Sequence, residues 1–171
     1  MVAGTAGIRK SKRDMQTLKK EFTYIPNDIL FAEVKKQIQQ GKNVRLKVRG
    51  HSMLPLTRNN DEALLVPPTP QKIKKWMPVV ARTEEMGIVL HRIVKIEGER
   101  ITLLGDGNVG QFEHTTPEDI IAVVSHFYRG KRTLRTDTAL MRLWSIMWYA
   151  VHPHRKRILK VAWNIKRIFK P

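Results

Sequence analysis

Three side chains of the kinds used in nucleophilic catalysis occur in the order Ser52, His91 and Asp106. A serine hydroxyl is a weak nucleophile until a neighbouring base takes its proton. Imidazole suits that role near neutral pH, and a carboxylate can orient the ring and stabilise its protonated form. If the fold brings the three together, they form a site for acyl transfer whose activity falls in acid as the imidazole gains a proton.

Each of the three residues is tied to a segment with strand character. They follow or lie within the runs 43–49, 89–96 and 100–104, the first of which alternates Val44, Leu46 and Val48 with polar residues. Neighbours in a strand face opposite ways, so His51, beside Ser52, is a poor candidate for the base. For the same reason Arg92, beside His91, is expected to point away from the imidazole and to have a structural role.

The residues around these three positions resemble the motifs of a known group of serine peptidases. The motifs are Gly50-His51-Ser52-Met53-Leu54-Pro55, Leu90-His91-Arg92-Ile93-Val94 and Leu104-Gly105-Asp106-Gly107-Asn108. Their order and spacing resemble the signal peptidase I and LexA-like clan, in particular the endoplasmic-reticulum and archaeal branch, in which a histidine replaces the usual lysine base. The resemblance covers residues 27–130. It implies Ser52 as nucleophile, His91 as base, Asp106 as acid, no cofactor, and an extended peptide or precursor substrate with small residues near the cut.

Three further residues are expected to shape the loop around Ser52. Met53 and Pro55 would direct the serine into a cleft, and the oxyanion would be held by the Ser52 backbone N–H. Gly50 stands where many signal peptidases carry a hydroxyl that helps to bind the oxyanion. Because glycine has no such donor, the resemblance leaves open whether the site is active.

Other interpretations stay open. Singly, Ser52 and Asp106 are typical turn residues, and His91 is an ordinary strand histidine. A catalytically silent module of the same fold, binding peptides or acting as an adaptor at a membrane surface, is one alternative. A nucleic-acid-binding protein that uses its basic flanks is another, less favoured one. No histidine has a convincing metal-ligand spacing, and the chain has no cysteine, so no metal site or disulfide is expected.

The positive charge of the chain lies outside the segment that carries the motifs. The 171 residues have a formal net charge of +17. Residues 1–49 carry 12 Lys and Arg against 4 Asp and Glu, residues 50–130 carry 9 against 10, and residues 131–171 carry 11 against 1. The sequence therefore predicts a near-neutral domain between two basic flanks.

These patterns predict a mainly β domain at 24–130, a partly open barrel or sandwich with one N-terminal helix. That helix starts at Asn27 or Asp28 and ends at Gly41. Residues 1–23 are expected to form a basic flexible tail, helical near Met15–Phe22, and their composition is not that of a secretory signal peptide. The pairs Ala3-Gly4 and Ala6-Gly7 are weak candidates for self-cleavage.

Residues 131–171 are expected to form a basic amphipathic helical tail. Ala139–Val151 is apolar but shorter than the ~20 residues of a bilayer span, and Pro153 separates it from a second helix at His154–Lys170. Apolar faces beside basic ones suit an anionic membrane surface contacted through 139–171, although packing against the domain would use the same pattern. We therefore expect a cytoplasmic protein, peripheral on the inner membrane face if the helices bind lipid.

Overall fold

The computed structural model describes residues 27–168 of the chain, and the side chains of residues 29–161. Within that part the protein is a mainly antiparallel β sheet of eight strands with three helices, and the sheet is open. The elements are α1 (Asn27–Gln39), β1 (Val44–Lys47), β2 (Glu62–Val66), β3 (Pro78–Thr83), β4 (Gly87–Glu97), β5 (Arg100–Leu104), β6 (Phe112–Thr115), β7 (Ile120–Arg129), β8 (Arg132–Arg135), α2 (Ala139–Ala150) and α3 (Arg155–Ile168).

The strands follow the order β1-β2-β7-β3-β4-β5-β6. The long strand β7 has β2 along one edge, and β3 and then β8 along the other. The sheet curls so that β6 returns towards the end of β3, where the Glu84 N–H donates to the His114 carbonyl at 3.4 Å. Because of this curl, side chains on β4 and β6 can meet although β5 lies between the two strands.

Apolar side chains cover both faces of the sheet. One cluster packs the inner face of α1, through Val34 and Ile38, against β2, β3 and β7. A second cluster fills the inside of the curl, where Ile93, Ile101 and Leu103 are fully buried. Full burial of each such side chain contributes ~1.5–3 kcal/mol, so the curl that carries the site is a packed and rigid part of the fold.

The mainly β architecture with an early helix is confirmed, and so is the break between two C-terminal helices, which falls in a 3-10 turn at His152–His154. The expected end of the sheet was wrong. Gly130, with φ +57°, reverses the chain into β8, which lies in the segment expected to be helical. Among the described residues no helix is long and apolar enough to cross a membrane. The expectations for residues 1–23, including the helix at Met15–Phe22 and the two Ala-Gly pairs, lie outside the described part.

Candidate active site

Ser52 lies on the loop that joins β1 to β2. The loop begins with a left-handed residue, Gly50, at φ +93°, a conformation that glycine adopts without steric cost. Met53 is buried in the core cluster between α1 and the sheet and anchors the loop there. Pro55 follows a cis peptide bond. Ser52 is half-buried and lies in a turn five residues after the end of β1.

Ser52 and His91 line one cavity of ≈ 570 Å³. Its walls are mainly apolar and come from α1, β1, β2, β3 and β4, through residues that include Phe31, Leu46, Leu65, Val80 and Leu90. This volume lies in the range of small-molecule and peptide side-chain sites. Both residues contribute to the cavity lining, and no hydrogen bond joins their side chains within the described residues.

The carboxylate that contacts His91 is Glu113. Nδ1 of His91 lies 2.9 Å from Oε2 of Glu113, and the two side chains are 5% and 0% exposed. Where the carboxyl group is ionised it only accepts a hydrogen bond; Nδ1 then carries the hydrogen, and Nε2 of the neutral ring has the lone pair. A base in this tautomer can take a proton at Nε2 while the buried carboxylate stabilises the resulting imidazolium.

Glu113 meets His91 because of strand register. Ile93 pairs with Leu103, and Leu103 pairs with Glu113, so these three residues share one face of the sheet. His91, two residues before Ile93, faces the same way. Glu113 was not among the predicted site residues, because β6 has no apolar alternation. The signal that was available is an acidic residue within the few residues that follow the Gly-Asp-Gly-Asn turn.

Asp106 has a different partner from the one expected. Its carboxylate accepts two hydrogen bonds from Arg92, from Nε at 2.8 Å and from Nη2 at 2.7 Å, and both side chains are buried. Arg92 also donates from Nη1 to the Trp76 carbonyl at 2.6 Å. Arg92 points away from His91, as expected, and the Asp106 carboxylate contacts Arg92 on that side of the strand. The expectation that Asp106 orients the imidazole is therefore corrected: Asp106 anchors a turn.

That turn lies directly behind the serine. The Gly107 N–H donates to the Ser52 carbonyl at 2.7 Å. A Cβ at Gly105 would meet the same carbonyl oxygen at 2.6 Å, and a Cβ at Gly107 would meet the His51 carbonyl oxygen at 2.5 Å. Only glycine permits such close approach of two backbones. The structure thus brings the three sequence motifs together, with Asp106 acting on Ser52 through the main chain.

Substitution of Gly105 tests this contact. We expect Gly105→Ala to displace the Ser52 loop, to cost about 1–3 kcal/mol of stability, and to lower any activity that depends on Ser52. Gly98→Ala is the matched control, since Gly98 has φ +58° and open space around it in a distant turn. The control is expected to lose stability in urea titrations but to keep activity. Equal activity in the two variants would contradict the role given to the turn.

The C-terminal helices α2 and α3 also donate hydrogen bonds to the turn around Asp106. Trp148 of α2 donates from Nε1 to the Asp106 carbonyl at 2.7 Å. The buried Arg155 of α3 donates from Nη1 to the Gly105 carbonyl at 3.1 Å and from Nη2 to the Trp148 carbonyl at 3.0 Å. Burial lowers the pKa of Arg155, and the nearby charge of Asp106 acts in the opposite direction. One face of the helical segment therefore packs on the domain, which was one of the alternatives for this segment.

Acid is expected to weaken a contact at the junction of these helices. Nε2 of His152 accepts a hydrogen bond from the Gly110 N–H at 3.4 Å. Burial lowers the pKa of His152, and the positive charge of Arg155 acts in the same direction. The unfolded chain therefore binds the proton more readily. The contribution of His152 to the free energy of unfolding is complete above the pKa of histidine in the unfolded chain, about 6.5. It declines as the pH falls through that value and levels off below the lower pKa that His152 has in the folded protein.

Urea titrations at neutral and acid pH measure this effect. The wild type is expected to lose more stability in acid than His152→Gln, which cannot take up the proton. An identical loss in the two proteins would exclude His152 as a source of the pH dependence.

The chain was also compared with known proteins. No family model, no curated protein and no solved structure matches it. The candidate site is therefore defined by its own geometry: a serine loop, a buried histidine–glutamate pair, and a turn fixed by a buried arginine–aspartate pair.

Proposed function

We propose that the chain is a serine endopeptidase similar to the signal peptidase and LexA-like group, with Ser52 as nucleophile and His91 as general base. The observation that carries the proposal is the buried contact between His91 and Glu113, because His91 also lines a cavity together with Ser52. Glu113 takes the orienting role that the sequence analysis gave to Asp106. A serine and its base are often apart without substrate and approach when a substrate binds.

The proposed reaction proceeds through an acyl-enzyme. Ser52 Oγ attacks the peptide carbonyl carbon while His91 Nε2 takes the hydroxyl proton, and Glu113 stabilises the imidazolium. The Ser52 backbone N–H stabilises the oxyanion. The C–N bond then breaks, His91 gives the proton to the departing amine, and the acyl group stays on Ser52. Water, deprotonated by His91, attacks the ester and releases the second product.

The substrate we propose is an extended segment of a peptide or precursor protein. Strand β1 is at the edge of the sheet and pairs only with β2 among the described strands, and its residues Leu46 and Lys47 line the cavity. An extended peptide can add to such an edge through main-chain hydrogen bonds while alternate side chains enter pockets. The apolar cavity wall favours apolar side chains, and the resemblance adds a preference for small ones at the cut.

A peptide library made from a whole proteome tests this function without knowledge of the substrate. The purified chain is incubated with the library, and new termini are identified by mass spectrometry. We expect termini with a shared local sequence for the wild type and for His114→Gln, and none for Ser52→Ala or His91→Gln. His114 is the matched control because it forms a similar but exposed contact with Glu85, at 2.7 Å. No new termini from the folded wild type would contradict the proposal and favour a silent peptide-binding module.

A further inference from the structure

The outer face of α2 is apolar and exposed. Leu140, Leu143 and Met147 are 77%, 53% and 56% exposed. Their spacing of three and four residues places them on one side of the helix. The opposite side, with Met141 and Ser145, faces the domain. The exposed side therefore contributes nothing to the fold within the described residues, although exposed apolar groups grouped in this way mark interaction surfaces.

Exposed basic side chains lie on both C-terminal helices. Arg142 on α2 is exposed, and so are Lys156, Arg157 and Lys160 on α3. Beside the start of α2 lies a hollow of ≈ 640 Å³ that is lined by Lys72, Lys74, Lys75 and Arg142. The one acidic residue that lines it, Asp137, already pairs with Arg135 at 2.9 Å. The sequence after Asp137 contains no Asp or Glu.

Apolar groups continue onto α3. Ile158 and Val161 are exposed between its basic residues, so both helices combine exposed aliphatic and basic groups. An interfacial helix has this composition: aliphatic groups enter the boundary of the acyl chains while Lys and Arg attract anionic headgroups.

We propose that the outer face of α2, with the adjoining part of α3, docks the protein on an anionic lipid surface. Leu140 and Leu143 enter the acyl-chain boundary, and the basic residues of the hollow and of α3 contact phosphate groups. Charge decides between the possible occupants. A second copy would bring the same basic residues against each other, and a nucleic acid would leave the aliphatic side chains without a partner. An anionic lipid surface satisfies both kinds of group.

Vesicle co-sedimentation of the full chain tests this surface. The vesicles contain phosphatidylcholine with phosphatidylglycerol, or phosphatidylcholine alone. We expect wild-type protein to bind the anionic vesicles and to bind less as salt rises. Leu140→Ser/Leu143→Ser is expected to reduce partitioning by more than about tenfold, since the lost aliphatic area no longer enters the lipid. The variant keeps every charge of the chain, including those before residue 27.

The matched control is Ile29→Ser/Ile96→Ser, which removes two exposed isoleucines that lie outside the C-terminal helices. It is expected to bind vesicles as the wild type does, and circular dichroism verifies that both variants are folded. Equal loss in the two variants, or equal binding of wild type to neutral vesicles, would overturn the proposal. So would a change from dimer to monomer in Leu140→Ser/Leu143→Ser without lipid, or a loss of DNA binding in place of vesicle binding.

Discussion

Glu113→Gln is expected to lower the rate of peptide cleavage by up to about 10⁴-fold, the loss seen when the orienting acid of a serine triad is replaced by its amide. The amide has nearly the shape of the carboxylate but no negative charge, so it cannot stabilise the imidazolium that forms on His91. Little stability should be lost, because Oε1 of Glu113 is buried without a hydrogen-bond partner among the described residues. Initial rates on a peptide identified from the library measure the effect.

The control for this prediction is Glu85→Gln. Glu85 contacts Nδ1 of His114 with similar geometry, but the pair is partly exposed and away from Ser52. The control should cleave at the wild-type rate. If Glu113→Gln were as active as the wild type while remaining folded, Glu113 would have no part in the reaction, and the base would have to be orientated in another way.

Asp106→Ala is expected to destabilise the fold by about 3–5 kcal/mol, because removal of one partner leaves the other charge buried and unpaired. The charge left behind is Arg92, which is 2% exposed. The loss should appear as a lower urea midpoint. Cleavage should also fall, because the turn that supports the Ser52 carbonyl loses its anchor.

Two comparisons separate this structural role from a chemical one. Asp137→Ala breaks a bidentate contact of the same kind with Arg135, but at the surface, where such pairs contribute little. It should leave the urea midpoint nearly unchanged. The double variant Arg92→Leu/Asp106→Leu removes both buried charges and should recover much of the stability lost in Asp106→Ala. A stable Asp106→Ala that has lost only activity would return Asp106 to the role of catalytic acid.

The sequence alone predicted the parts of the site that follow from local patterns. Period-2 alternation located the strand before Ser52, and the parity of strand residues separated His91 from Arg92. The partner of His91 escaped prediction because it depends on the curl of the sheet, which brings β6 beneath β4. An acidic residue soon after the Gly-Asp-Gly-Asn turn was a local signal, but the sequence does not show that the curl brings this residue to His91.

The C-terminal helices α2 and α3 were likewise predicted only as far as local patterns allow. The two helices and their break were predicted from spacing and from Pro153. The contacts of Trp148 and Arg155 with the turn around Asp106 were not predicted. A buried arginine is rare, and the acceptors here are backbone carbonyls, which have no sequence signature. Arg155, a residue type that is usually exposed, supports the turn next to the loop that holds the candidate nucleophile.

Covalent labelling measures whether His91, held by Glu113, activates Ser52. A fluorophosphonate probe reacts with an activated serine, whose oxygen bonds to phosphorus as fluoride leaves. Peptide mapping by mass spectrometry then locates the adduct. We expect the label on Ser52 in the wild type and in His114→Gln, and a greatly reduced yield in His91→Gln and Glu113→Gln. A folded wild type that takes up no label on Ser52, or a label that persists unchanged in His91→Gln, would show that His91 does not activate Ser52.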